Sequence, residues 1–399
     1  MRSALVTVFA VEDTALQVVW RALPAPNVCI EVGDQQVAAS ATPPAFLRLE
    51  GRAPRPLAKR RDAFGGPGAV TINGLEPNTT YDVVISGGRL APRLVERITT
   101  LPAPPGRLLA KFATLNDLHL GEEAFGASKT IRDVFPLPAG WESYTYRCAR
   151  AALDQAIEWG ASLIVVKGDF TRAGAPAEFH EAAQLLSRLP VPVEITFGNH
   201  EFHDLETDGR PLLREWGFRV PREPWSRDLP GIRIVLGHTA VPGLRGGRID
   251  ARQRGQLAAL ARETPGPVFV ALHHHPQRWA FPNQYPPGVP GPEATAFLNA
   301  LAEANPAAMV ATGHTHRHRR HRHGPIVAVE VGSPKDYPGT WAGYAVHEGG
   351  IRQVVRRVAT PEAIAWTEAT YWALAGVWGR WSVGARGERC FTHAWPRRD

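Results

Sequence analysis

SLIVVKGDFTRAG, residues 162–174, reads as a short strand that ends on a glycine and then presents a carboxylate. Leu163, Ile164, Val165 and Val166 are apolar without alternation, the pattern of a strand buried on both faces. Gly168 lets the backbone turn sharply, so that Asp169 points out of the strand end. A strand buried on both faces needs cover, and the flanking sequence supplies it. Upstream, between Tyr144 and Trp159, Ala149, Ala152, Leu153, Ala156 and Ile157 recur at helical spacing, with Gly160 placed as a C-cap. Downstream, Pro176 opens a second helix that runs to Leu189. The alternation continues outward in both directions. LLAKFATL (108–115), PVEITF (192–197), IRIVLG (232–237), PVFVAL (267–272) and AAMVAT (307–312) are strands, with helices near 250–263 and 292–304. This order predicts an α/β domain built on buried strands.

Five short polar clusters each follow directly on one of these strands, where open α/β sheets place their ligands. They are Asn116-Asp117-Leu118-His119, the Gly168–Gly174 turn with Asp169, Gly198-Asn199-His200-Glu201, His273-His274-His275-Pro276 and Gly313-His314-Thr315-His316. A single such cluster is common by chance. Five in succession, each at a strand end, are not a feature of ordinary core packing. Carboxylate, amide and imidazole donors without thiolate suit Mn, Fe, Co, Zn or Ni; Mg, which prefers oxygen donors, fits less well.

The ordered set DxH, GDxxxxG, GNHE, a histidine before proline, and GHxH resembles the calcineurin-like metallophosphoesterase superfamily over about residues 108–350. The resemblance implies a four-layer α/β fold, a pair of packed β-sheets flanked by helices, with metals at the strand ends. It implies two divalent metal ions: Asp117, His119 and His316 for one, Asn199, His274 and His314 for the other, with Asp169 bridging. His274 is chosen from the triple histidine because the family ligand usually lies two residues before the proline; strand alternation would then turn His273 and His275 elsewhere. The expected reaction is hydrolysis of a phosphate ester by a water activated between the two cations, with His200 as general acid. Glu201 or Asp204 is a candidate to orient His200, against a bland reading as surface carboxylates. No serine or cysteine nucleophile motif is present, and none is required.

The flanking regions differ in character. Residues 1–102 hold β-branched runs, LQVVW (16–20), AVTI (69–72), YDVVI (81–85) and RLVERITTL (93–101), between Pro-, Gly- and Asn-rich stretches. Leu75–Tyr81 with Val83 and Ile85 looks like a tyrosine corner, and the segment resembles a fibronectin type III β-sandwich. Pro102, Pro104, Pro105 and Gly106 form a stiff linker to the catalytic domain, 108–358. Residues 359–399 carry Trp366, Trp372, Trp378, Trp381 and Trp395, and Pro361 to Trp378 is expected to form an apolar helix. This segment reads as a helix docked on the core, with a contact to a second copy of the chain left open.

The formal charge of +7 favours anionic partners. Cys29, Cys148 and Cys390 form no CxxC and no disulfide framework. No apolar stretch of about 18 residues is present, so a soluble, cytoplasmic protein is expected. Among subfamilies, the HHHP and GNHE blocks resemble bacterial class III cyclic-nucleotide and glycerophosphodiester phosphodiesterases. Purple acid phosphatases need a tyrosine three residues after the bridging aspartate, where this chain has Arg172. The substrate expected is a small phosphate ester, a phosphodiester before a monoester. A nuclease is the alternative suggested by Arg317–His323, which also reads as a charged edge strand. A binding module that has lost its chemistry is a third reading, disfavoured because no ligand position is missing. Lys335, in SPKDYPG (333–339), is a candidate phosphate contact or part of a simple turn.

Overall fold

The computed structural model describes residues 6–40, 66–87, 90–126, 129, 131–132, 142–203, 208–279 and 285–396. The chain begins with seven strands, β1 (Val6–Val11), β2 (Ala15–Trp20), β3 (Val28–Val32), β4 (Gln35–Ala39), β5 (Gly68–Asn73), β6 (Thr80–Gly87) and β7 (Leu90–Thr99). They form two antiparallel sheets, ordered β1-β2-β5 and β4-β3-β6-β7. Val18, Trp20, Ile30, Val32, Val83 and Ile85 share one apolar core. Tyr81 Oη accepts the Glu76 N–H at 2.9 Å, which holds the turn before β6. Strands β1, β3 and β4 lie outside the β-branched runs read from the sequence, the last two in a stretch whose glycine and polar residues hid the strand pattern.

After a short extended linker come β8 (Leu108–Leu115), β9 (Ala124–Phe125), β10 (Ile131–Arg132), α1 (Tyr144–Glu158), β11 (Ile164–Lys167), α2 (Pro176–Leu186) and β12 (Val193–Thr196). Next are α3 (Gly209–Glu215), β13 (Trp225–Leu229), β14 (Ile232–Leu236), α4 (Ala251–Arg262), β15 (Val268–Ala271), α5 (Gly291–Ala304) and β16 (Ala308–Thr312). The chain continues through β17 (Arg319–His323), β18 (Ile326–Glu330), β19 (Thr340–His347), β20 (Gly350–Arg357), α6 (Pro361–Thr370), α7 (Val377–Ser382), α8 (Arg386–Arg389) and β21 (Phe391–Ala394).

Two six-stranded sheets result, ordered β12-β11-β8-β19-β20-β21 and β13-β14-β15-β16-β18-β17. Their facing sides bury Phe112, Val165, Ile234, Phe269, Met309 and Tyr344 in one core. Phe112 meets Phe269 edge-on, with ring centroids 4.9 Å apart. Helices α1 and α2 cover the outer face of the first sheet through Ala149, Leu153, Phe179 and Leu186, packed on Ile164, Val166 and Ile195. Helices α4 and α5 cover the second through Leu257, Phe297 and Leu301. The result is a mixed α/β architecture in four layers, helix, sheet, sheet, helix. Strands β8, β11 and β12 run parallel, as do β14, β15, β16 and β18, so within each set the C-terminal ends share one edge of the sheet.

The N-terminal strands pack beside β20. Gln17 donates to the Arg357 carbonyl at 3.0 Å and accepts the Arg357 N–H at 2.8 Å. Arg352 and Arg356 pair with Asp13 and Glu12. The final strand, β21, pairs with β20 inside the first sheet. The helix expected from Pro361 to Trp378 is broken. It ends at Thr370, passes through Leu374 and Ala375 at φ of 51° and 56°, and resumes as α7. Tertiary packing overrides the apolar pattern: Gly379 N donates to the Tyr371 carbonyl at 3.1 Å, and a Cβ on Gly379 would lie 2.0 Å from the Tyr371 ring. Only glycine lets α7 fold back this closely. Among the described residues, no helix is long and apolar enough to cross a membrane.

Candidate metal centre

The parallel strands deliver the five polar clusters to one place. Asp117 and His119 follow β8, Asp169 follows β11, Asn199 and His200 follow β12, His273 to His275 follow β15, and His314 and His316 follow β16. The first three strands belong to one sheet and the last two to the other, so the site straddles the junction of the two sheets.

Backbone geometry aims these side chains. Asp117, His119, Asp169, His314 and His316 all have left-handed φ, between 48° and 69°. Such a conformation costs a non-glycine residue roughly 1–3 kcal/mol and persists only where surrounding contacts enforce it. The contacts are identifiable. Asp117 N donates to the Gly168 carbonyl at 3.0 Å and His119 N to the Asp169 carbonyl at 2.9 Å, locking the first two turns together. His314 N donates to Asp117 Oδ2 at 2.9 Å and His200 N to Asp169 Oδ1 at 2.9 Å. At Gly198 a Cβ would lie 2.1 Å from Asp169 Oδ1, so the third turn approaches the second only because that residue is glycine.

Within this frame Asp169 Oδ2 lies 3.1 Å from His273 Nε2, 3.7 Å from His119 Nε2 and 3.9 Å from His200 Nε2. Asp117 Oδ1 lies 3.3 Å from His316 Nε2 and 4.0 Å from His119 Nε2. Donor atoms of Asp117, His119 and His316, of His119, Asp169 and His200, of Asp117, Asp169 and His273, and of His273, His274 and His314 fall in groups spanning no more than 4.8 Å. Asn199 is buried on the same cleft as Asp169 and His314, and its Oδ1 has no hydrogen-bond partner. His119 Nε2 is likewise buried without one.

The other ring nitrogens are anchored from behind. His316 Nδ1 donates to Asp336 at 2.6 Å, His273 Nδ1 to the Lys167 carbonyl at 2.8 Å, and His200 Nδ1 to the Arg172 carbonyl at 2.5 Å. His119 Nδ1 faces Glu122 at 3.3 Å, and Glu122 is held by Lys335 at 2.9 Å. A partner on one nitrogen fixes the ring and leaves the other directed at the cluster, the arrangement that orients metal-binding imidazoles. Buried oxygen and nitrogen donors without thiolate, Asn199 Oδ1 and His119 Nε2 among them unpaired, fit a divalent metal ion.

The electrostatics agree. Burial raises the cost of ionising Asp117 and Asp169, yet the surrounding histidines hold both well below the usual carboxylate range. Burial disfavours a charged His316, but Asp336 and Asp117 outweigh it and push that imidazole up to about 10. Asp169 does the same for His273, up to about 9, against burial. The carboxylates thus demand positive charge at the cluster. His274 and His314 are held well below the ordinary histidine value by burial and by the adjacent imidazoles, and stay neutral.

His274 lies in one candidate group with His273 and His314, and its neighbours are held as follows. His274 Nδ1 accepts from Thr239 Oγ1 at 2.8 Å and its Nε2 donates to the Arg245 carbonyl at 3.2 Å. His273 instead turns Nε2 toward Asp169 and toward His314 Nδ1, 3.2 Å away. Strand alternation does not separate the two histidines because β15 ends at Ala271, before the triplet begins. Glu201 is fully buried and touches backbone rather than orienting His200: it accepts from the N–H groups of Asp169, Thr171 and Gly198 at 2.9, 2.9 and 2.6 Å. Asp204 lies outside the described residues. Lys335 is buried in its ion pair with Glu122, so it supports His119 rather than meeting a phosphate. Arg319–His323 is β17, an edge strand with alternating exposure. Glu122 and Asp336 carried no sequence signal of their own, although Asp336 sits in the turn beside Lys335.

A family profile described as calcineurin-like phosphoesterase matches residues 110–318. The chain is 29% identical over 185 residues to a probable cyclic nucleotide phosphodiesterase of Psychrobacter sp. (strain PRwf-1), covering 44% of this chain and 53% of the relative. It is 33% identical over 124 residues to a cAMP/cGMP dual specificity phosphodiesterase of Mycobacterium tuberculosis, covering 28% and 36%. The chain therefore spans about half the length, or less, of these curated relatives. Among solved structures it resembles a purple acid phosphatase from yellow lupin (Lupinus luteus) seeds, at 13% identity and a TM-score of 0.44, covering 88% of this chain and 72% of that one.

Proposed function

The chain belongs to the calcineurin-like phosphoesterase family, and we propose that it is a phosphodiesterase acting on small phosphodiesters, cyclic nucleotides among them, with two divalent metal ions. The observation that carries this reading is Asp169, whose one carboxylate oxygen faces histidines from three different strand ends at 3.1, 3.7 and 3.9 Å. Two relatives named as cyclic nucleotide phosphodiesterases favour a diester over a monoester.

Asp117, His119 and His316 would hold one ion; Asn199, His314 and His273, with His274 beside it, would hold the other; Asp169 would serve both. When bound, the cations supply charge that offsets the phosphoryl oxygens and lowers the pKa of a water nucleophile. The protein's own groups do the rest. Asp336, Glu122 and the Lys167 carbonyl fix the tautomers of His316, His119 and His273. His200, anchored through Nδ1 on the Arg172 carbonyl, presents Nε2 beside Asp169 as the proton donor to the departing alkoxide.

The test compares bis-p-nitrophenyl phosphate with p-nitrophenyl phosphate as substrates for the purified chain in Mn²⁺, alongside Asp169→Ala and His200→Ala. Faster diester cleavage, abolished by Asp169→Ala, is expected. Monoester preference would reassign the chain as a phosphatase, and inactivity with every divalent metal would sink the enzymatic reading.

A further inference from the structure

A cleft of about 650 Å³ opens over the cluster, with Asp169, Asn199, His314 and His316 among its lining residues. Trp378 and Trp381 line the same cleft. Both come from α7, beyond the segment that matches the family profile. Trp378 lies beside the centre itself, its ring centroid 6.0 Å from that of His316.

The two indoles are held rigidly. Trp378 packs edge-on against Phe125 at 5.5 Å and lies 5.3 Å from Trp381. The Arg317 guanidinium sits over Trp381 at 4.7 Å and is fixed in turn by Glu330 at 2.9 Å. Pre-positioned rings lose little freedom when a ligand stacks on them.

We propose that Trp378 and Trp381 form a subsite for a nucleobase carried by the phosphodiester substrate, the base stacking on the indole pair. A planar π-system matches these surfaces, whereas a glycerol or ethanolamine ester offers no ring to stack. The inference rests on the phosphodiesterase reading and narrows it to nucleotide substrates.

The experiment uses the full chain in Mn²⁺ and two variants, Trp381→Leu, which removes a stacking face, and Trp378→Phe, which replaces the indole by a smaller stacking ring. Kinetics are compared on 3′,5′-cyclic AMP and on glycerophosphoethanolamine. In Trp381→Leu the KM for cyclic AMP should rise about tenfold or more, with kcat nearly unchanged and both constants for glycerophosphoethanolamine unaffected. Trp378→Phe should show a smaller rise, again for cyclic AMP alone. Independently of turnover, 5′-AMP should quench indole fluorescence in the unmutated chain where glycerol 3-phosphate does not, and Trp381→Leu should weaken that binding. Unchanged KM and quenching, or an equal loss on both esters, would overturn the subsite while leaving the phosphodiesterase reading intact. Failure of the unmutated chain to cleave either ester would instead count against that reading, and the quenching arm would still decide the subsite.

Discussion

Glu201 Oε2 accepts the backbone N–H of Asp169 at 2.9 Å and, from the neighbouring strand end, that of Gly198 at 2.6 Å. One buried carboxylate therefore ties the turns after β11 and β12, with a further bond to Thr171 N. Glu201→Ala strands three buried N–H groups, so we expect about 2–4 kcal/mol of lost stability, with weaker metal binding. Urea unfolding and metal analysis of the same preparation measure the two; a variant with unchanged stability and metal would show that the turns hold without this tie.

The two adjacent histidines should behave differently. His274 has both ring nitrogens engaged by Thr239 and Arg245, while His273 directs one at Asp169. His273→Ala is expected to lower the metal content of the purified chain more than His274→Ala does, read by inductively coupled plasma mass spectrometry. The reverse order would return the role to His274.

Asp336 receives the Nδ1–H of His316 at 2.6 Å. Asp336→Ala leaves every candidate ligand in place but frees that ring, and should weaken metal affinity about 10–100-fold. Competition with a fluorescent chelator measures it, and an affinity within twofold of the original would refute the anchoring role.

His238, which is not one of the candidate ligands, gives a pH dependence of its own. Its Nε2 donates to the Pro221 carbonyl at 2.7 Å, and burial lowers the imidazole to about 4. In the unfolded chain a histidine titrates near its ordinary value of about 6.5. Between the two values the unfolded state binds the proton and the folded state does not, so stability falls as pH drops from about 6.5 toward 4. Over that window His238 should account for roughly 2 kcal/mol, and His238→Gln should flatten this part of a thermal-melting profile. An unchanged slope would mean that other groups dominate.

Trp366 anchors the segment that carries the indole pair. It is fully buried, stacks on Tyr144 at 3.9 Å and donates to the Lys335 carbonyl at 2.8 Å. Trp366→Ala should cost about 3–5 kcal/mol in denaturant unfolding, and a loss below 1 kcal/mol would mean α6 is not an integral part of the core.

Much of this structure is legible in the sequence. The strands that precede the five clusters carry their own signal in unbroken apolar runs such as Leu163–Val166, and short turn motifs mark where each strand stops. What escaped was contributed through space. Glu122 and Asp336 act only because β8 and the turn after β18 bring them behind His119 and His316. The choice between His273 and His274 depends on where β15 ends, a boundary that periodicity locates only to within a few residues. The break in the helix after Thr370 depends on Tyr371 and Gly379, which sequence spacing alone does not bring into contact.

The left-handed backbone at Asp117, His119, Asp169, His314 and His316 bears on how such a site persists through descent. Glycine would relax each of these five positions at once, and asparagine would partly do so. A lineage freed from the need for these side chains would drift toward those residues, gaining stability with each replacement. Two aspartates and three histidines stand where the main chain would be most at ease with glycine, so each side chain at the site is carried at a backbone cost that the surrounding fold absorbs.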